Sequence, residues 1–505
     1  AAWANANPTY VNTTAPSHGL TVSWDPIDLA SGNFYYPATD LEVGGASPRG
    51  FTFSRQYHGG RRAVNPAGLG YGWTHNWQVR ATGRSAYEPA LGLGGTAYDV
   101  ASAMVAVHAT IDLASVAPDA QHWTLASFTA HWLADQLQDN AVSLSIGERS
   151  LQFVRRADGT WQPPAGVTMT LAANGGGWVA QERHGNTYNF DNTGKLTSIV
   201  DLWSKTLTVA YNGEKVSTVT DAYGRSLTFT YTGSQLTGLT DSTGRTVDFG
   251  YSASGDLQTV TDPETRVDRF TYDGEHRITE IRNHDQEFVA INIYDATGRL
   301  VEQQAEGNPA KAWKYFYTAN AAVEENPEGG KTTSTFDLKK RLVRRQDAAG
   351  RVATATYDGQ DRVTQTKTPM GLTTIRTYDR FHNLLTVKDP DNKTTSFGYD
   401  AQHRLTSITD PLTHATIITP NAQHQPLTIK NALNETTTNT YNPTTGTLAT
   451  TTAPAAPAST TFGYNGRDEL TTTNFPGGGT ETITRNIYGD PLLSLIHISE
   501  PTRLR

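Results

Sequence analysis

The chain has 505 residues, of which 37% are hydrophobic, 10% aromatic and 18% charged. This content of apolar and aromatic residues excludes a disordered chain, and the abundance of Thr, Tyr and Val favours strands over helices. The net charge is −8, with 41 Lys and Arg and 49 Asp and Glu spread along the chain, which argues against nucleic-acid binding. The absence of Cys excludes disulfides, thiolate catalysis and Cys-ligated metals, and no apolar run approaches the ~20 residues that a membrane span needs.

The chain opens with a segment that has no initiator Met and none of the regions of a signal peptide. We expect residues 1–19 to be a linker or the remainder of a truncated upstream segment, so a complete cytoplasmic protein is not expected. Residues 20–95 are predicted to form a β module. Its glycines at 68, 70 and 72 are predicted to serve a structural turn, because no phosphate-binding Lys and no strand–helix context accompany them.

Residues 96–141 have the apolar spacing of helices rather than strands. We predict a helical hairpin inserted into the β module, and we expect it to act as a plug or cap over the exposed edge of the first strands. A pair of partner-binding helices is the alternative. Strands are predicted to resume over residues 142–186. The two helical stripes consist of Val100, Met104, Val107 and Ile111, and of Leu125, Phe128, Trp132 and Leu137.

An aromatic residue recurs at nearly constant spacing through residues 187–492. Successive spacings are 19 to 23 residues, and one interval of 42 equals two periods, with a Pro-containing phrase in place of the missing aromatic. A period this steady is typical of an array of one supersecondary unit. The recurring residues, to which we assign a structural role, are Phe190, Tyr211, Tyr231, Tyr251, Tyr272, Tyr294, Tyr317, Phe336, Tyr357, Tyr378, Tyr399, Tyr441 and Tyr464.

Each period accommodates one β-hairpin. The phrase "YDATGRLVE" predicts a turn with Gly298 at the position of positive φ, and Asp-Pro pairs such as Asp389-Pro390 predict a second turn whose Asp accepts a backbone hydrogen bond. The strand after the first turn is predicted to alternate, with Leu405 on one face and Ile408 on the other. About fourteen hairpins give roughly 28 strands, a ribbon ~135 Å wide that would curl to a diameter of ~40 Å.

These phrases resemble the YD repeats of RHS proteins, which also occur in the shells of Tc toxins and in teneurins. The front end, with "DPIDLASGN", "FSRQY" and "GYGW", is similar to the domain that commonly opens RHS proteins. The resemblance implies a mainly β fold: a curled shell of antiparallel hairpins behind an opening β module. It also implies a secreted or cell-surface protein whose shell encloses or presents a C-terminal payload, often a toxin, which we expect to be absent from these residues.

No catalytic or ligand-binding constellation stands out, so we predict no enzyme activity, no cofactor and no metal site. His276, His382, His403 and His424 occupy equivalent turns and are predicted to be solvated turn residues. The recurring Asp residues are predicted to anchor turns by hydrogen bonds rather than to form carboxylate pairs for glycoside chemistry. The family cleaves its own chain with paired aspartates in a core region, but Asp490-Pro491 lacks the extended motif, so no catalytic residue is carried over.

Two further hypotheses concern sugar binding and the end of the chain. Rows of exposed Tyr would suit stacking on carbohydrate, which makes a cell-surface adhesin the alternative function; Tyr residues pairing across strands are the structural alternative. After Leu492 the repeat breaks off. Residues 493–503 resemble a translated sequencing adaptor, and we predict that residues 493–505 are a non-native tail, with a genuine strand and basic tail as the alternative.

Overall fold

The computed structural model describes residues 27–65, 67–83, 141–146, 149–156, 158–454 and 458–497, together with five single positions between 120 and 128. Strands form almost all of the regular structure in this part of the chain, which confirms the mainly β fold. Two 3-10 turns, Gly59–Arg61 and Pro309–Lys311, interrupt the strands. None of the described residues belong to a helix long and apolar enough to cross a membrane.

The predicted helical hairpin at residues 96–141 lies outside the described residues, apart from its last residue and five single positions. Those five have helical backbone, but they do not establish a hairpin: Ala120, Gln121, Thr124, Leu125 and Phe128. The predicted upstream segment, residues 1–19, also lies outside the described residues. The limits assigned to the domains therefore remain predictions.

Two four-stranded sheets precede the ribbon. The first sheet has the strand order β1-β2-β3-β4 and the second β5-β6-β7-β8, with antiparallel neighbours throughout. In chain order the strands are Ile27–Asp28, Asn33–Gly44, Gly50–His58, Trp73–His75, Val79–Gly83, Ala141–Ile146, Arg149–Arg155 and Trp161–Gln162. We call β1–β4 the opening sheet.

The third sheet is a ribbon of 32 strands in which each strand is antiparallel to its neighbours in sequence. Strands β9–β24 are Thr170–Asn174, Gly177–Gln181, Thr187–Phe190, Leu196–Val200, Thr206–Asn212, Lys215–Thr220, Ser226–Thr232, Gln235–Asp241, Thr246–Tyr251, Leu257–Thr261, Val267–Tyr272, Ile278–Arg282, Phe288–Tyr294, Leu300–Ala305, Ala312–Tyr317 and Ala321–Glu325. Strands β25–β40 are Lys331–Phe336, Leu342–Gln346, Val352–Tyr357, Val363–Lys367, Thr373–Tyr378, Leu384–Lys388, Thr394–Tyr399, Leu405–Thr409, Ala415–Pro420, Pro426–Lys430, Thr436–Tyr441, Leu448–Thr452, Thr460–Tyr464, Leu470–Asn474, Thr480–Arg485 and Pro491–His497.

The ribbon is longer than the predicted 28 strands because a hairpin is added at each end. The hairpin β9–β10 precedes the first recurring aromatic, and β39–β40 has Arg485 where the aromatic would stand. Strand β40 includes residues from the predicted non-native tail. Backbone pairing depends on strand propensity rather than on the origin of the residues, so the tail assignment remains a prediction, and residues 498–505 lie outside the described part.

The predicted simple alternation after the first turn is wrong, because a β-bulge follows every recurring aromatic except Tyr317. Tyr399 pairs with Leu405, but Gly398 pairs with Ser407, so one extra residue is inserted in the second strand. Leu405 and Ile408 therefore lie on the same face of the ribbon as the tyrosine. The same register shift occurs in the earlier hairpin β13–β14. There Val216 and Val219, which correspond to Leu405 and Ile408, are buried.

The two turns of each period have the same geometry. We call the turn after each aromatic a YD turn and the turn between hairpins a connecting turn. In the YD turn at 400–404 the backbone N–H groups of Gln402 and Arg404 donate to Asp400 Oδ1, while Arg404 Nε donates to Oδ2. In the connecting turn at 410–414, Asp410 Oδ1 accepts from residues 412 and 414, as the Asp-Pro pattern predicts. Because the ribbon is an antiparallel meander, all YD turns lie along one edge and all connecting turns along the other.

The opening sheet packs against one face of the ribbon, which we call the inner face. Phe53 contacts Phe229 and Phe249 with ring centroids 5.9 and 6.0 Å apart, and Trp73 contacts Phe270 at 5.4 Å. The apolar residues that alternate with Thr along the early strands, such as Leu207 and Val209, lie on this face. The hydrophobic core thus joins the opening sheet to the first part of the ribbon.

The opening sheet covers the inner face only as far as the middle of the ribbon. Within the described residues, the last apolar side chain of the core is Phe336, which is 3% exposed. Inner-face side chains beyond it, such as Phe397 and Ile418, are only half-buried. The second half of the ribbon therefore has an inner surface that the opening sheet does not cover.

A β-branched residue stands at a position of positive φ in one exposed connecting turn. Thr413 has φ of 69°, a conformation that costs an L-residue about 1–2 kcal/mol and that glycine adopts freely. We expect Thr413→Gly to raise the free energy of unfolding by about 1 kcal/mol, measured by denaturant titration. Thr416→Gly, in the neighbouring strand, should lower it. A destabilising Thr413→Gly would contradict the assigned turn.

Candidate functional site

The structure places the thirteen recurring aromatic residues along the inner face, close to the YD turns, and it does not gather them into one site. Phe190 and Phe336 are buried. The Lys195 and Lys215 ammonium groups lie over the rings of Tyr211 and Tyr231. The other nine donate their hydroxyl hydrogen to a backbone carbonyl on the preceding strand: Tyr251, Tyr272, Tyr294, Tyr317, Tyr357, Tyr378, Tyr399, Tyr441 and Tyr464.

The hydroxyl bond completes the pairing between consecutive hairpins. The ladder between β30 and β31 ends at the pair Thr386↔Ser396, which leaves the Leu384 carbonyl without a strand partner. The Tyr399 hydroxyl donates to that carbonyl over 3.0 Å, and burial raises the pKa of Tyr399 to about 12. A buried carbonyl without this donor would cost about 1–3 kcal/mol. The tyrosine therefore acts as a clamp between hairpins, and its polar atom is already engaged.

The four repeat histidines are turn residues, but they are not simply solvated as predicted. All four adopt positive φ, between 61° and 69°. His276 stacks on Tyr71 with ring centroids 4.0 Å apart, and its Nδ1 lies 2.7 Å from a carboxylate oxygen of Asp256. His403 Nδ1 lies 3.0 Å from Asn383 Nδ2. These rings make packing contacts because neighbouring turns stack along the edge of the ribbon. Among the described residues no group of three or more potential metal ligands occurs.

The two edges of the ribbon meet at a junction that we call the seam. The connecting turns at 182–186, 201–205 and 221–225 contact YD turns near residues 424, 446 and 468, which follow them by 240 to 245 residues. Twenty-three strands, β11–β33, separate the first pair of turns. At ~4.8 Å per strand this circuit is ~110 Å around, or ~35 Å across. The ribbon thus curls through one full circuit and contacts itself.

Large side chains of the connecting turns fill the seam. Trp203 packs so closely on Gly446 that a Cβ at that position would lie 2.1 Å from the indole ring. The Tyr223 hydroxyl donates to Asp468 Oδ2 over 2.6 Å, and burial together with that hydrogen bond raises the pKa of Tyr223. Arg225 continues the contact by pairing with Glu469 at 3.3 Å. Shape and charge are both matched across the seam.

Arg49 joins three parts of the chain at this seam. It lies between β2 and β3, at the tip of the opening sheet's long hairpin. Its Nε is 2.9 Å from Asp201 Oδ2 and its Nη1 is 3.5 Å from Asp468 Oδ2, while Nη2 donates to the Thr445 carbonyl. Its guanidinium carbon lies 5.4 Å from the centre of the Trp203 ring. One side chain therefore links the opening sheet to both edges of the ribbon.

Two imidazoles meet at the first contact of the seam. His184 Nδ1 and His424 Nε2 are 3.2 Å apart, and Arg183 donates to Asn383 Oδ1 over 3.3 Å beside them. Burial, followed by the proximity of His424 and Arg183, lowers the pKa of His184 to about 4. Burial and Arg404 lower the pKa of His424, against an opposing effect of Asp400. Both rings are therefore neutral at pH 7.

Sequence reasoning did not identify the seam residues, because the turns that meet there are 240 to 245 positions apart. One signal was present. The third position of the later connecting turns holds small, acidic or aliphatic residues, whereas the rings of His184, Trp203 and Tyr223 stand there in the first turns. Large rings at exposed turn positions indicate a contact surface.

The charge contacts of Arg49 lead to a first prediction for the seam. Arg49→Ala removes three hydrogen-bonded partners of a group that is 22% exposed, so we expect it to cost about 2 kcal/mol of local stability. Hydrogen exchange of the amides at 201–205 and 465–469 should accelerate accordingly. Arg351→Ala, which breaks an exposed pair within one turn, is the matched control. Unchanged protection in Arg49→Ala would contradict this role.

The imidazole pair predicts a pH dependence. A histidine whose folded pKa lies near 4, below its usual 6.5, takes up a proton more readily when the contact is open. Its stabilising contribution is therefore complete above pH 6.5 and is lost progressively as the pH falls towards 4. Hydrogen exchange at 182–186, corrected for intrinsic rates, should accelerate between pH 6.5 and 5.

The control for this prediction comes from two histidine variants. His184→Gln should reduce the acceleration, since it removes one of the two titrating imidazoles of this contact while keeping a polar side chain. His414→Gln alters an exposed histidine outside the seam and should retain it. An equal response in both variants would assign the pH dependence to other groups.

Comparison with known proteins supports the repeat assignment. A family model described as RHS Repeat matches residues 251–285 and 378–415, and one described as Domain of unknown function (DUF6531) matches residues 24–91. No curated protein matches the chain. The crystal structure of TcdB2-TccC3-Cdc42 is 12% identical over 72% of this chain and 24% of its own, with a TM-score of 0.42. The Photorhabdus luminescens Tc holotoxin pore is 13% identical over 71% and 23%, also with a TM-score of 0.42.

The chain spans about a quarter of the length of these two structures. The two segments matched by the repeat model lie within the ribbon. The same bulge and turn recur in hairpins on either side of them, and the tyrosine clamp recurs after them, as at Tyr464. The ribbon therefore contains RHS repeats.

Proposed function

We propose that the chain is a non-catalytic segment of a structural shell, which encloses or presents a C-terminal toxin or effector domain of a secreted or cell-surface protein. The observation that carries this proposal is a ribbon that closes on itself at the seam while, among the described residues, inner-face side chains of its second half are only half-buried. Tc toxin structures are among the proteins to which the chain is similar, which agrees with an extracellular role.

The composition of the uncovered inner face supports contact with another polypeptide. Two residues before each aromatic, the inner face carries Val209 and Phe270 where the opening sheet covers it. Farther along, the equivalent position holds Ala355 and then Arg376, in strands with no buried residue. It becomes apolar again at Phe397, which is half-buried. Apolar side chains that face an enclosed space without full cover are suited to contact an enclosed chain.

The adhesin alternative receives less support. Sugar stacking needs exposed ring faces with hydrogen-bonding groups free to contact the ligand. Here nine of the repeat tyrosines direct their hydroxyls into the ribbon, as described above. A carbohydrate-binding row of tyrosines would have to break the clamps between hairpins.

The absence of Cys makes a labelling experiment possible. Ile418→Cys places a thiol on the inner face, and Ile417→Cys, its neighbour, places one on the outer face, where the native side chain is 45% exposed. We expect a small maleimide to label both variants and a polymer-linked maleimide to label only Ile417→Cys. Equal labelling of both by the polymer reagent would contradict an enclosed inner face.

A second arm tests the payload. The chain is expressed together with the polypeptide that its natural reading frame encodes downstream. Protection of Ile418→Cys from the small maleimide, with Ile417→Cys still reactive, is the expected result. If the reading frame stops without a further domain, or if protection is unchanged, encapsulation is wrong while the shell fold stands.

A further inference from the structure

One hairpin in the second half of the ribbon lacks the clamp to its predecessor. The other recurring positions beyond Phe336 in the described ribbon donate to the preceding hairpin, through a tyrosine hydroxyl or, at Arg485, through Nε to the Leu470 carbonyl. Pro420 stands where the aromatic is missing, and its side chain has no hydrogen to donate to the Leu405 carbonyl, the equivalent acceptor. Hairpin β33–β34 is therefore not fastened to β32 at the end that carries its YD turn.

The backbone pairing near Pro420 adds little support. Pro420 pairs with Pro426 across the hairpin, so neither residue has a backbone N–H to donate to the ladder. The ladder that joins β33 to β32 ends at Ile417. On the other side the hairpin is fastened, because the Tyr441 hydroxyl donates to the Pro426 carbonyl over 3.1 Å. The segment 418–425, which includes the YD turn, is thus clamped on one side only.

This weakly held segment also makes the first contact of the seam. His424 Nε2 lies 3.2 Å from Nδ1 of His184, which belongs to the connecting turn at 182–186. Side chains of Arg404 and Gln425 join the segment to the YD turns before and after it. Of these contacts, only the imidazole pair exchanges protons with water between pH 7 and pH 5.

The surroundings of the imidazole pair fix where its protons lie. His424 Nδ1 is buried and has no hydrogen-bond partner among the described residues. The single hydrogen of the neutral His424 ring therefore belongs on Nε2, which donates it to His184 Nδ1. A further proton must go on His184 Nδ1, where it removes the acceptor, or on His424 Nδ1, where no acceptor meets it. Protonation weakens the contact in both cases.

Charged groups on both edges of the seam face this pair. Arg183 lies close to His184, and Arg404 lies close to His424, so both arginines oppose a further positive charge. Asp400 has the opposite effect on His424, but its Oδ2 already accepts from Arg404 Nε over 2.6 Å. The surroundings therefore favour two neutral rings. The other charged or titratable groups along these turns are Glu182, Asp358, Arg362, Asp379, His382 and His403.

We propose that the segment 418–425 is an acid-operated gate in the wall of the shell. At neutral pH the imidazole pair holds the segment on the connecting turn at 182–186. When the pair takes up protons, the segment moves away from β32 and from this turn, while the contacts of Trp203 and Tyr223 keep the rest of the seam closed. That the gate leads to an enclosed interior rests on the proposed function, whereas release of the segment depends only on the seam.

Hydrogen exchange of the full chain at pH 7.5 and pH 5.0, corrected for intrinsic rates, tests the gate. We expect the protection of amides at 418–425 to fall by about tenfold or more at pH 5.0, and that of amides at 442–447, in the next YD turn, to change by less than about twofold. The double variant His184→Gln/His424→Gln should show no such fall, because both titrating rings are gone. An equal fall in the two segments would overturn the proposal, as would a pH response that the double variant retains.

Restoring the clamp is the second arm of the test. Pro420→Tyr supplies a hydroxyl for the Leu405 carbonyl and should raise the protection of amides at 418–425 at pH 5.0 by about fivefold or more. Pro420→Phe is the matched control, since it supplies the ring without the donor. Tyr441→Phe removes the clamp of the next hairpin and should lower protection at 442–447 equally at both pH values, because no histidine closes that contact. Equal protection in Pro420→Tyr and Pro420→Phe would overturn the role of the missing clamp.

Thiol labelling tests whether the gate opens onto an enclosed space. The rate at which the polymer-linked maleimide labels Ile418→Cys, relative to Ile417→Cys, should rise by about tenfold or more between pH 7.5 and pH 5.0. Adding Pro420→Tyr should reduce that rise. A ratio that stays low at both pH values would overturn the gate. Full labelling already at pH 7.5 would contradict the enclosed interior of the proposed function, and the exchange measurements would then decide the gate by themselves.

Discussion

The bulge that follows nearly every recurring aromatic, closed in most hairpins by a tyrosine hydroxyl, is the constraint on which the ribbon depends. The bulge puts two residues of the second strand, such as Leu405 and Ile408, on the inner face, and it ends the ladder to the next hairpin early. Strand ends with unpaired carbonyls would expose an edge for solvent or for other chains. The hydroxyl of the next tyrosine closes that gap, so each hairpin is completed by its successor. This dependence explains why a marginally stable unit must recur in series.

The seam follows from the accumulated curl of the hairpins. A circuit of 23 strands corresponds to about 16° per strand, within what twisted antiparallel sheets accommodate. The closing contacts depend on that angle being constant, because Trp203 fits only where the opposite turn presents Gly446 without a side chain. Arg49 also fixes where the ribbon closes, because the hairpin that carries it is held on the early strands by the aromatic core. The opening sheet thus sets the position at which the ribbon closes, as well as covering its inner face.

The local features of the repeat were predictable from the sequence, because each depends on a few neighbouring residues. Gly298 has φ of 85°, and the Asp-Pro turns form the expected hydrogen bonds. The alternation after the YD turn was predicted wrongly, since a bulge leaves no mark in composition. The histidines were predicted to be solvated because stacking of turns 20 or more residues apart is a property of the sheet. The seam was beyond local reasoning altogether, because its register is set by the sum of many small rotations.

The two faces of the ribbon divide its chemistry. Most inner-face residues before Phe336 are apolar because the opening sheet covers them. The buried polar side chains among them have partners, as Asn292 and Gln303 have in each other, since an unpartnered buried charge would be costly. Beyond that point the same register positions tolerate Arg376 and Asn439, since water or another chain can reach them. The outer face has no such requirement and can carry a like-charge pair at Arg269 and Arg282. Whether the opening sheet covers a position, rather than its place in the repeat, therefore determines which positions of each period are free to acquire a function.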